Sequence, residues 1–182
     1  MPTTQIHTEL AFEEAIEAVL FKSGYVNGDN ASYNKEFCVD EYWLFQFLQN
    51  SQPQKWQRSE AIHRADTATK LLQRLHKELD SRGALDVIRN GFTDNGVTYD
   101  MAYFKPETAL NPDTDISYNQ NILSVTRQLK YSKKNENSLD MVLFVNGLPV
   151  ATVALKNQFT SQNSQHAKRQ FIEDRDPREL LF

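Results

Sequence analysis

The sequence runs to 182 residues, 40% hydrophobic and 24% charged, enough for one domain with a real core. A formal net charge of −4 argues against a protein that coats nucleic acid through bulk charge, though not against a site where local acids hold cations. A single cysteine, Cys38, excludes an internal disulfide, and no apolar run approaches the ~20 residues of a membrane helix.

Met1-Pro-Thr-Thr-Gln-Ile lacks the basic and apolar regions of a signal peptide, so a reducing cytoplasm is the expected compartment. Residues 1–7 carry no apolar pattern. Thr8 can cap a helix from Glu9 to about Lys22, with Leu10, Ile16, Val19 and Leu20 as an approximate apolar face and Gly24 as its stop. Asn27-Gly-Asp-Asn30 is turn chemistry. A helix from Asp40 to Gln49 follows, with Tyr42, Trp43, Phe45, Phe47 and Leu48 as core material. Pro53 begins another helical stretch, and a long amphipathic segment spans Arg64 to Leu79, ended by Gly83. Leu85–Arg89 and Thr98–Phe104 read as strands around a turn at Asp94-Asn-Gly96. Residues 105–120 are irregular, with room for a short helix. Three β-rich runs follow, Ile122–Tyr131, Leu139–Val145 and Pro149–Leu155, and then a polar helix over Ser161–Glu173. The order predicts one α/β domain over residues 1–182, with a mixed central sheet flanked by helices. The apolar ending, Arg178-Glu-Leu-Leu-Phe182, reads as the edge of a fragment of a longer protein.

Asn146-Gly147 between two apolar runs is a strong hairpin signal. Register then matters. A strict two-residue turn pairs Val145 with Leu148, and so Asp140 with Val153, leaving Ala154 and Lys156 facing away from Asp140. One residue of offset, from a three-residue loop or a bulge, brings 140, 154 and 156 onto one face. Pro149, which cannot donate to the ladder, favours irregular pairing there. With that offset, acids at 140 and 154 would hold Mg²⁺, which takes about six oxygens at roughly 2.0–2.1 Å. The Leu155 carbonyl would help, and Lys156 would steady an attacking water or the phosphate. Such a set suits phosphodiester hydrolysis. The spacing alone is a weak signal and fits two surface charges at strand ends better than a site.

The surrounding residues carry more. Leu139-Asp-Met-Val-Leu-Phe-Val-Asn-Gly-Leu-Pro-Val-Ala-Thr-Val and Leu155-Lys-Asn157 resemble the nuclease core of type I restriction enzyme R subunits (HsdR). Glu9-Leu-Ala-Phe-Glu-Glu-Ala-Ile, Gln52-Pro-Gln-Lys-Trp56, Leu85-Asp-Val-Ile-Arg-Asn-Gly91, Ala102-Tyr-Phe-Lys-Pro106, Val125-Thr-Arg-Gln128 and Asp174-Arg-Asp-Pro177 extend the likeness over nearly the whole chain. The resemblance implies a restriction-endonuclease-like PD-(D/E)xK core, with Asp140 as the metal-binding aspartate and Lys156 as the catalytic lysine. It also implies a glutamate where Ala154 stands. Alanine cannot bind a cation, so weak Mg²⁺ binding and poor or absent cleavage are expected, whether the change is a natural loss or an engineered one. Gln170 resembles the glutamine of a Q-x-x-x-Y element, but the fourth residue after it is Asp174. Glu14 matches a first-helix acid near the metal, or is simply a solvated helix-face glutamate. The implied partners are double-stranded DNA and the methyltransferase and specificity subunits, with no membrane. ATP belongs only to the motor domains of the full-length protein, since no G-x-x-x-x-G-K-[ST] loop occurs here. The competing expectation is a naturally degenerate nuclease fold that binds DNA or partners without cutting.

Two basic runs flank the hairpin in sequence: Arg127, Lys130, Lys133 and Lys134, and Lys168, Arg169, Arg175 and Arg178. They read as phosphate contacts or as ordinary solvated faces. His7, His63, His76 and His166 lack metal-ligand spacing and are taken as structural or solvated.

Overall fold

The computed structural model describes residues 9–106 and 112–155. In chain order the elements are α1 (Glu9–Lys22), β1 (Val26–Asn27), β2 (Tyr33–Asn34), β3 (Val39–Asp40), α2 (Glu41–Ser51), α3 (Pro53–His63), a 3₁₀ turn (Arg64–Asp66), α4 (Thr67–Arg82) and α5 (Ala84–Asn90). Then come β4 (Phe92–Asp94), β5 (Val97–Tyr99), α6 (Pro112–Tyr118), β6 (Leu123–Lys130), β7 (Ser138–Val145) and β8 (Leu148–Val153). The main sheet has the order β1-β6-β7-β8. β1 runs parallel to β6, and β6, β7 and β8 form an antiparallel meander. This is the mixed α/β architecture the sequence predicts, with helices flanking the sheet.

Alternation along the strands supplies two apolar layers. On one, Val125, Met141 and Leu155 meet Ile16 and Leu20 of α1. On the other, Val142 and Phe144 meet Tyr33 and Cys38 of the β2–β3 ribbon. The largest cluster lies beyond, where Leu44, Phe47 and Leu48 of α2 pack with Leu71, Leu72 and Leu75 of α4, Val87, Phe92 and Tyr99. Leu148 joins that cluster to the main sheet. Each buried leucine contributes about 2 kcal/mol of transfer free energy.

Two strand expectations are corrected. Leu85–Arg89 lies within α5. Asp86 anchors it through i,i+4 contacts, accepting from Arg82 Nε at 2.5 Å and from Asn90 Nδ2 at 2.7 Å, and these local pairs favour helix over the β-leaning composition. Of Thr98–Phe104, only Thr98 and Tyr99 are strand. Tyr42 is 54% exposed, and Leu44 takes the core position expected of it. The helix expected over Ser161–Glu173 lies outside the described residues.

The β7–β8 turn is a two-residue one, with φ 51° at Asn146 and 80° at Gly147. Asn146 is fully buried. Its amide nitrogen donates to Met101 O and to Asn121 Oδ1, both at 2.9 Å, and its Oδ1 accepts from Ile122 N at 2.7 Å. Asn146→Ala therefore strands buried polar groups and is expected to cost about 3 kcal/mol, read from urea denaturation with an unchanged slope.

Asp40 caps α2, its Oδ1 accepting from Trp43 N at 3.2 Å. Burial raises the Asp40 pKa above its ordinary 3.8, against the lowering effect of the Trp43 backbone N–H. A carboxyl raised on folding adds stability that is full below the unfolded pKa and is lost as pH climbs through the folded one. Asp40→Asn keeps the capping oxygen. Its melting temperature should gain on that of the unaltered chain as pH rises from about 4 to 7, checked by a pH series of thermal melts.

Candidate active site

The offset that the hairpin needs is supplied by a bulge. Val145 pairs with Leu148 and Phe144 with Pro149, but Leu143 pairs with Ala151 and Met141 with Val153. Val150 is the extra residue, at the point where Pro149 lacks an N–H. The ladder and β8 end at Met141↔Val153, one residue before Ala154, and the register continued by one step would set Asp140 across from Ala154. Asp140 is half-buried, and its Oδ2 accepts a hydrogen bond from Leu155 N at 2.7 Å. The chain leaving β8 is thus fastened to the aspartate at the residue that follows Ala154.

Across the other edge of β7, the β6–β7 pairing passes from Arg127↔Met141 to Leu129↔Leu139, so Gln128 stands opposite Asp140. Gln128 has a left-handed backbone, φ 48°. Its Nε2 donates to Glu13 Oε1 at 2.8 Å, and its Oε1 accepts from Ser138 Oγ at 3.0 Å. Arg127 reaches the same helix, with Nη2 at 3.2 Å from Glu13 Oε2 and Nη1 at 3.0 Å from Glu17 Oε2. Burial opposes the Arg127 charge, but the hydrogen bonds it donates to Glu17 and Glu13 outweigh it and raise the guanidinium pKa above its ordinary value.

The acid that α1 turns toward the sheet is therefore Glu13, which is only 4% exposed. Glu14 lies on the exposed side of α1 and is not among the residues brought together. The signal was present in the spacing, because Glu13 precedes Ile16 by three residues and Leu20 by seven, on the buried stripe. Arg127 is committed to glutamates, and Lys130 pairs with Glu136 at 2.7 Å on an open surface. Lys156, Lys168, Arg169 and Gln170 lie outside the described residues.

The described residues do not by themselves make a cation site. Asp140 offers one carboxylate where Mg²⁺ seeks several oxygens, and no group of three or more histidine, cysteine or acidic side chains gathers among them. A glutamate at 154 would add a second carboxylate one residue from the amide that Asp140 holds.

The family model for the type I restriction enzyme R protein N terminus matches residues 34–181. The chain belongs to this family. The match takes in α2 to β8 and both positions of the Asp140–Ala154 pair. For an R-protein N-terminal region, a mixed sheet flanked by helices is consistent with a nuclease-like fold. No curated protein and no solved structure matches the chain. Among the described residues of this R-protein domain, no helix is long and apolar enough to cross a membrane.

Proposed function

We propose that residues 1–182 form the endonuclease domain of a type I restriction R subunit, silenced at position 154. The observation that supports this reading is the offset at Val150, which, continued one step past Met141↔Val153, would bring Asp140 and position 154 across from each other. Hydrolysis of DNA phosphodiesters is the activity such a site supports once a glutamate stands at 154. Mg²⁺ would then be the cofactor, with Asp140 as one ligand and the Leu155 carbonyl as a further oxygen. Lys156 completes the chemistry by holding the water or the phosphate. With alanine at 154 the domain binds Mg²⁺ weakly and cuts poorly. Its partners are double-stranded DNA and the methyltransferase and specificity subunits, and ATP is used by the downstream motor of the full-length protein. Lys130, Lys168 and Arg169 are proposed phosphate contacts, and Gln170 a DNA-orienting residue.

The test uses the full-length R subunit carrying Ala154→Glu, assembled with its partner subunits, Mg²⁺ and ATP. Cleavage of unmodified DNA is the expected result. If that complex leaves DNA uncut, the catalytic assignment is wrong. A second reading has its own support. Alanine stands at 154 where a metal-binding carboxylate would be needed, and Asp174 stands where a Q-x-x-x-Y element has tyrosine, which favours a naturally degenerate, non-catalytic module for DNA binding or assembly. An alanine codon at 154 in the source gene supports this second reading, and a glutamate codon the first.

A further inference from the structure

Strict alternation along β7 would place Asp140 on the same side as Val142 and Phe144, inside the apolar layer formed with Tyr33 and Cys38. Asp140 Oδ2 instead accepts from Leu155 N, just past the end of β8. Leu139 packs in that layer beside Leu129 and Tyr131, whereas Met141, two residues on, packs with Val125 and Leu155 beneath α1. The strand therefore rolls over at Asp140. The residue across from it, Gln128, is where the neighbouring strand departs from β geometry, with φ 48°. A non-glycine residue held left-handed costs on the order of 1–3 kcal/mol and persists only where surrounding contacts over-determine it. Those contacts are present. The Gln128 amide is gripped at both ends, by Glu13 of α1 and by Ser138, two residues before Asp140.

We propose that Gln128 is a positioning residue: its left-handed backbone and two-ended amide roll β7 over, and so keep the Asp140 carboxylate on Leu155 N at the sheet's rim. Glu13 is the anchor for this device, fixed in turn by Arg127. The structural part stands on contacts alone. The consequence for catalysis rests on the nuclease reading above.

The experiment follows the Leu155 amide by NMR in the chain as it is, with Asp140→Asn as the reference for loss of a charged acceptor. Gln128→Gly tolerates the left-handed backbone but removes the grip. The Leu155 proton should move upfield toward its position in the reference, and its hydrogen exchange should quicken by about ten-fold, with a cooperative melt retained. Gln128→Val, whose branched Cβ resists a left-handed φ, should go further. If the valine variant does not fold, the glycine variant alone decides. A Leu155 shift and exchange rate unchanged in Gln128→Gly overturns the proposal. In the assembled Ala154→Glu complex, adding Gln128→Gly should lower kcat by about ten-fold at constant KM for DNA. If the Ala154→Glu complex with Gln128 intact is inactive, the nuclease reading fails, while the Leu155 readout still decides the role of Gln128.

Discussion

Ala154→Glu is expected to convert a domain indifferent to Mg²⁺ into one that binds it and, in the assembled enzyme, cuts DNA. The register continued one step past Met141↔Val153 would set the two positions across from each other, and on the proposed reading a carboxylate at 154 would then share a cation with Asp140. Without metal, the two like charges repel, and the variant should melt slightly below the unaltered chain. With metal, ligand binding to the folded state alone adds RT ln(1 + [L]/Kd), about 2.7 kcal/mol at a hundred times Kd. Titrating Mg²⁺ should therefore raise the melting temperature of Ala154→Glu and leave that of the unaltered chain nearly still. Cleavage should rise by about 100-fold or more, the scale on which one electrostatic group acts in such sites. Adding Asp140→Asn to the variant should remove both gains. Equal Mg²⁺ responses with and without the glutamate would refute a shared cation site.

Gly147→Ala should destabilise the domain by about 4 kcal/mol, from left-handed strain added to overpacking. Gly147 has φ 80°, and a Cβ there would lie 2.5 Å from Asp40 O and 2.6 Å from Leu44 N. Both are backbone atoms and cannot swing aside. The same carbonyl end of Gly147 accepts from Asp40 N at 2.8 Å, so the hairpin tip and the start of α2 form one joint. Gly96 is the control. Its φ is 77°, but a Cβ there meets nothing within 4 Å, so Gly96→Ala should cost only about 1 kcal/mol. Equilibrium urea melts of both variants check the difference.

The long periodic elements were legible in the sequence. α1 falls on its expected bounds, and β6, β7 and β8 lie within a residue or two of the runs that predict them. So was the chance of an offset at the hairpin: Pro149 favours irregular pairing near the turn, and Val150 is the extra residue. What hid from the sequence were features made by distant partners. β1 is two residues long and exists because Val26 and Asn27 pair with Ser124 and Val125. α5 looked like a strand because Val87 and Ile88 outweighed pairings of Asp86 that become visible only on a helix. The spacing puts Glu13 on the buried stripe with Ile16 and Leu20, but its partners Arg127 and Gln128 lie more than a hundred residues away and could not be read from it. Gln128 itself carries no local mark of a left-handed backbone.

The one-residue offset at Val150 ties the surroundings of Asp140 to the length of β8 beyond it. Removing Val150 itself would erase the bulge and leave Ala151 on Leu143 and Val153 on Met141. Removing one residue after the bulge, such as Thr152, would slide Val153 through Leu155 by a single step against β7, and the register continued from there would set Leu155 across from Asp140. No proposed ligand would have been altered, yet the proposed catalytic row would be facing the wrong way. Miscounting by one is here as disabling as losing a carboxylate.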